Sequence, residues 1–308
     1  TAAKREHGSI LVLMRIIAGA GRLINECSKT FYSLGAGRCF AYFCFIENFR
    51  GEMKKMAMLV LIICACAQAR AQDTSLFQRC SFSSGNFKLP YRLLTPLAGR
   101  SDTAVYRYPL VIFLHGAGER GKDNSKQLMH GAKVFTTAEN LEKYPCFVLA
   151  PQCPENLKWV DTDWKLDKQI FPESPTLPMK VLMQLVDSFI KTHAVDTSRI
   201  YITGLSMGGF GTWDLACRMN KKAAAIVPVC GGGDETKAPL LSSIPVWAFH
   251  GANDPLVKPF RSTNMVNAVN KAGGEAKLTM YENTGHDSWT KTYSDPEMLK
   301  WLFSQRRK

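Results

Sequence analysis

An α/β fold, with a mostly parallel sheet and helices on both faces, is predicted by three observations. Short apolar runs alternate with longer helical patterns from about residue 86 to the C-terminus, the order that parallel strands joined by crossover helices require. The 236 residues from 73 to 308 match the size at which one such domain stands alone. No internal repeat or low-complexity linker divides them.

Strands are expected at Lys88–Leu94, Leu110–Leu114, Cys146–Ala150, Ile200–Thr203, Ala224–Val229, Val246–Phe249 and Lys277–Tyr281. Helices are expected at Pro178–His193, Met207–Met219, Pro259–Ala272 and Pro296–Gln305. In the first helix Val181, Leu182, Leu185, Val186 and Phe189 recur on one face, the stripe that a core-facing helix needs. Pro151–Leu177 fits neither pattern, with four prolines and the rings of Trp159 and Trp164. So long a connection inside a compact domain reads as a lid or binding loop.

Of the 308 residues 46% are hydrophobic and 21% charged, which excludes a disordered, collagen-like or coiled-coil chain. The net charge of +13 is uneven: residues 1–72 hold 10 basic and 4 acidic side chains, leaving +7 for the remainder. Part of that excess is Arg306-Arg307-Lys308, a solvated terminus rather than a nucleic-acid or lipid contact. A basic exterior would favour acidic, uronate-bearing polymers, with turnover that weakens as salt rises.

From Met53 the chain reads as a secretory signal: Lys54 and Lys55, an apolar stretch from Met56 to about Ala67, then Ala69-Arg70-Ala71 before Gln72. A dozen apolar residues are too few for a span of roughly 20, so no stable membrane insertion is expected after cleavage. The domain organisation is therefore 1–52 upstream or leader sequence, 53–71 signal peptide and 72–308 one catalytic domain. The expected location is secreted or periplasmic, with a lipoprotein ending at Cys66 ranked second. Five of the ten cysteines (Cys80, Cys146, Cys153, Cys217 and Cys230) follow the signal. Export permits disulfides, and an odd number leaves one thiol over. No spacing implies a metal or an organic cofactor.

Chemistry concentrates at Gly204-Leu205-Ser206-Met207-Gly208, which follows Ile200-Tyr201-Ile202-Thr203 and precedes a helical run. A sharp strand-to-helix turn that presents a serine needs glycines two residues to either side. Ser206 is the candidate nucleophile. It requires a histidine base and an orienting acid, in the chain order serine, acid, histidine. His286, in the loop Asn283–Asp287, is the candidate base. His250 ends an apolar strand, where a structural hydrogen bond is expected; His115 and His130 precede the serine, and His193 lies at a helix end. Asp254 is ranked first as the acid, ahead of Asp234 and Asp287. The oxyanion donors are expected to be the N–H of Met207 and that of Ala117, with Gly116 beside it. Glu119, Arg120 and Asp123 are expected to brace that loop.

Together LHGAGERG (114–121), APQCP (150–154), RIYITGLSMGGFGTWDLA (199–216), VWAFHGANDPLV (246–257) and TGHDSWTKTY (284–293) resemble secreted esterases of the α/β-hydrolase superfamily, the group often labelled predicted peptidases. These are similar to feruloyl and acetylxylan esterases of carbohydrate esterase family 1 and to polyhydroxybutyrate-depolymerase-like esterases. The resemblance implies an α/β-hydrolase fold, Ser206, Asp254 and His286 as the triad, and Ala117 with Met207 as oxyanion donors. It implies a small ester or acylated plant cell-wall polysaccharide as substrate, with no nucleic acid partner. Trp213 and Trp289 match family aromatics beside the site, and Trp159 and Trp164 are offered as stacking surfaces. Two other readings are a serine peptidase of the prolyl-oligopeptidase type and a noncatalytic binding protein on the same fold.

Overall fold

The computed structural model describes residues 74–97 and 106–307. The leader, the signal peptide and both cleavage alternatives lie outside these residues. The described chain falls within the unit Arg70–Lys308.

Eight strands form one sheet: β1 (Gln78–Ser84), β2 (Phe87–Leu94), β3 (Tyr108–Leu114), β4 (Phe147–Pro151), β5 (Val195–Leu205), β6 (Ala225–Val229), β7 (Val246–Gly251) and β8 (Ala276–Tyr281). Their order is β1-β2-β4-β3-β5-β6-β7-β8. β1 pairs antiparallel with β2, and β2 antiparallel with β4. Every pairing from β4 to β8 is parallel, so the C-terminal ends of these strands open on one edge. Six of the seven helices and strands predicted after residue 195 agree at both ends to within two residues; β5 begins five residues early because Val195 already pairs with Tyr108.

β1 was not expected. Its seven residues hold only Cys80 and Phe82 as apolar side chains, as an outer strand with one half-covered face requires. Gly85, at φ +56°, makes the tight turn into β2, a conformation suited to a two-residue hairpin loop.

The helices are α1 (Ala138–Lys143), α2 (Leu177–Thr192), α3 (Met207–Arg218), α4 (Phe260–Lys271), α5 (Trp289–Ser294) and α6 (Pro296–Ser304). Thr176 caps α2 through the N–H of Met179, and Pro178 sits in its first turn. Alternate residues of β3 feed the two core layers. Leu110, Ile112 and Leu114 pack with α2, α3 and α4, whereas Val111 and Phe113 pack with Tyr293, Met298 and Leu302 of α5 and α6. No helix among the described residues is long and apolar enough to cross a membrane. The five cysteines are free thiols, and burial pushes Cys153 and Cys217 up to about 12, so they are inert at neutral pH.

Candidate active site

The register between β3 and β5 sets Leu114 beside Gly204, which brings the loop after β3 against the turn after β5. α3 then sinks onto the sheet. A Cβ on Gly208 would lie 1.9 Å from the Leu114 carbonyl oxygen, a distance that no other residue type tolerates. Ser206 occupies the turn at φ +54°, a left-handed conformation that costs on the order of 1–3 kcal/mol and holds its Oγ clear of the helix. Its backbone N–H donates to the Val229 carbonyl at 2.9 Å. Met207 opens α3 and Ala117 opens a short 3-10 turn, so each N–H lacks an acceptor in its own helix.

His286 Nε2 stands 2.9 Å from Ser206 Oγ, and its Nδ1 stands 2.7 Å from Asp254 Oδ2. Asp254 is fully enclosed by donors. Its Oδ1 accepts from the N–H of Leu256 and Val257, at 2.8 and 3.0 Å. Its Oδ2 also faces His250 Nε2, at 3.2 Å. Burial alone would raise its pKa, but the hydrogen bonds from His250, His286 and the two amides outweigh it and hold the carboxyl well below the usual range. An ionised Asp254 fixes the proton of His286 on Nδ1, which leaves Nε2 free to take the serine proton.

His250 is buried and tied on both sides, to Ser262 Oγ at 2.7 Å and to the Val257 carbonyl at 2.9 Å. The competing acids are committed elsewhere. Asp234 accepts from the N–H of Phe171 and Thr236, and Asp287 accepts from the N–H and the hydroxyl of Thr290.

Beneath the loop after β3, His115 Nδ1 donates to the Gly116 carbonyl at 2.6 Å and Nε2 accepts from the Cys153 N–H at 2.9 Å. Burial pushes its pKa down to about 4 against the opposing pull of Gly116, so the ring is neutral. Arg120 and Asp123 do brace this loop: Arg120 Nε donates to the Ala117 carbonyl, and Asp123 accepts from Ser125, Lys126 and Gln152. Glu119 joins it through its backbone, whose carbonyl accepts from Gln152 Nε2 at 3.1 Å, whereas neither of its carboxyl oxygens makes a hydrogen bond among the described residues. A Cβ on Gly116 would fall 2.9 Å from Glu119 Oε2 and from Leu205 Cδ1, so both side-chain ends would have to move aside to admit one.

The tryptophans divide. Trp159 is 0% exposed and donates to the His115 carbonyl at 3.1 Å, so it supports the loop from below and offers no ring to a ligand. Trp213 is likewise fully buried in the core. Trp164 is half-buried, with Lys158 Nζ 5.1 Å over its ring. Trp289 alone meets the site, its ring 5.3 Å from that of His286 and nearly perpendicular.

The segment between Pro151 and Leu177 carries no helix or strand but is firmly tethered. Arg218 donates to the carbonyls of Pro172 and Glu173, and Arg261 to that of Asp167. No cluster of three or more metal-ligating side chains occurs among the described residues.

A family model described as Phospholipase/Carboxylesterase matches residues 103–297. The chain belongs to that family. Its fold is that of the α/β-hydrolases. A solved structure described as a thermostable esterase is 38% identical, with a TM-score of 0.70 over 76% of this chain and 64% of its own. A bifunctional acetylxylan esterase/xylanase of Neocallimastix patriciarum is 32% identical over 24% of this chain and 11% of its own. A poly(3-hydroxyalkanoate) depolymerase C of Paucimonas lemoignei is 39% identical over 17% of this chain and 12% of its own. The chain thus spans about a tenth of the curated relatives it matches.

Proposed function

We infer that the chain is a secreted serine carboxylesterase acting on acyl esters of plant cell-wall polysaccharide, feruloyl or acetyl. The observation that carries this reading is the unbroken line from Ser206 Oγ through His286 to Asp254 Oδ2, at 2.9 and 2.7 Å. His286 takes the proton as Ser206 Oγ attacks the ester carbonyl, and the N–H groups of Ala117 and Met207 receive the developing oxyanion. His286 then protonates the leaving alcohol, which departs and leaves an acyl-enzyme. Water, deprotonated by the same ring, adds to the acyl carbon and releases the acid. The acetylxylan esterase/xylanase supports the polymer class, and the apolar stretch after Lys55 supports export.

The test is kcat/KM on 4-nitrophenyl acetate, methyl ferulate, acetylated xylan and a chromogenic prolyl peptide, with Ser206→Ala as control. Turnover of the esters that vanishes in the alanine variant is the expected result. Cleavage of the peptide alone would make the chain a peptidase, and inertness toward all four would leave a binding role.

A further inference from the structure

Glu119 is the acidic side chain of the oxyanion loop for which the reaction has no use. Its side chain is 9% exposed, and neither oxygen makes a hydrogen bond among the described residues. Oε1 stands 3.7 Å from His130 Nε2, and Oε2 lies over Gly116, next to the Ala117 donor. Among the described residues the ring of His130 also makes no hydrogen bond; it rests 5.7 Å from that of Trp289, which in turn meets His286. One wall therefore runs from the catalytic base to the oxyanion loop through an aromatic ring, an imidazole and a carboxyl group.

The Glu119 side chain is nine-tenths covered, yet its carboxyl oxygens are not sealed off and take no donor from the described residues, so they are open to a partner that arrives from outside. An acidic group left open in this way beside the reacting atoms points to a ligand. The 3.7 Å gap is too long for a direct hydrogen bond. It is the right width for one oxygen to sit about 2.8 Å from each group. Such an oxygen must donate to Glu119 and also satisfy His130, which a hydroxyl does. With the His130 proton on Nε2, an ammonium group could not accept from the imidazole, and a carboxylate would be repelled by Glu119. Trp289 gives the ring bearing that hydroxyl an apolar face.

We propose that Glu119, His130 and Trp289 form a subsite for a ring-borne hydroxyl group of the ester substrate. The proposal rests on the serine-esterase reading and names what that esterase recognises. The hydroxyl belongs either to a sugar in the alcohol half or to a phenol in the acyl half.

Two matched pairs separate these sources: methyl ferulate against methyl cinnamate, and acetylated xylobiose against ethyl acetate. kcat/KM is measured for the wild type, Glu119→Gln and His130→Gln, with active sites counted by a fluorophosphonate that labels Ser206. The wild type is expected to prefer the hydroxyl-bearing member of one pair, and both variants to cut that preference about tenfold. A change in the cinnamate pair assigns the phenol; a change in the acetyl pair assigns the sugar. Preferences unchanged in both pairs overturn the subsite, and a lowered thermal midpoint with unchanged preferences marks Glu119 as a brace instead. Turnover by Ser206→Ala would overturn the esterase reading itself, a failure visible without either subsite variant.

Discussion

The two sides of the candidate site are finished to different degrees. On the acid side every lone pair of Asp254 is occupied, by two imidazoles and two amides, and His250 behind it is itself tied to Ser262 and Val257. On the side of the oxyanion loop, Glu119 and His130 face each other without a bond. The contrast separates preorganisation from recognition. Groups that manage charge in the reaction are fixed beforehand, whereas groups that read a substrate are left open until it arrives.

The most direct way to break the finished side is at its candidate nucleophile. Ser206→Ala should lower kcat/KM on an aryl acetate by about 10⁴- to 10⁶-fold, and Asp254→Asn by about 10⁴-fold through the wrong tautomer of His286. The thermal midpoint of Ser206→Ala checks that the loss is chemical rather than structural. Next comes the close contact under α3. Gly208→Ala forces a methyl group onto the Leu114 carbonyl and should cost on the order of 4 kcal/mol or more, read as a lower urea midpoint or as failure to accumulate folded protein.

The open side is sharpened by attacking what holds it from below. Trp159→Ala should destabilise by about 3–5 kcal/mol; a stacking surface for substrate would raise KM and leave the urea midpoint alone.

His115 sets a pH window for the same loop. Its native pKa is about 4, and the unfolded chain takes up that proton near 6.5. Stability is therefore complete above about pH 6.5 and falls toward pH 4, by up to about 3 kcal/mol. His115→Gln should flatten that slope in urea titrations at stepped pH. The smallest effect is expected at the Lys258–Asp167 pair, exposed on both sides. Asp167→Ala should change stability by less than about 1 kcal/mol.

Sequence reading located the strands from β2 to β8 and the long helices because their apolar runs are buried on one or both faces. It passed over β1, whose Gln78, Arg79, Ser81, Ser83 and Ser84 give an outer strand a polar composition. The Gly85-Asn86 turn was the signal that could have found it. Ser206, His286 and Asp254 were legible through loop position after successive strands, and the structure brings their side chains into contact. Burial was not legible. Trp159 and Trp164 stand five residues apart in one loop, yet one is sealed in the core and the other half-covered by Lys158. Nothing in GERG told Glu119 from Arg120, because the difference lies in which neighbour the fold delivers: the Ala117 carbonyl to Arg120 and only a distant imidazole to Glu119.

The parallel register from β4 to β8 also governs when the site comes into being. Ala117, Ser206, Asp254 and His286 come from four loops, each following a different strand, and His286 follows the last one. Contacts so far apart in sequence close late, after the entropy of the intervening chain has been given up. A nascent chain released before β8 would hold the serine turn and the acid loop but lack the imidazole. In refolding, native fluorescence should therefore be able to return before catalysis does, and reactivity of Ser206 toward a fluorophosphonate becomes a clock for completion of the sheet.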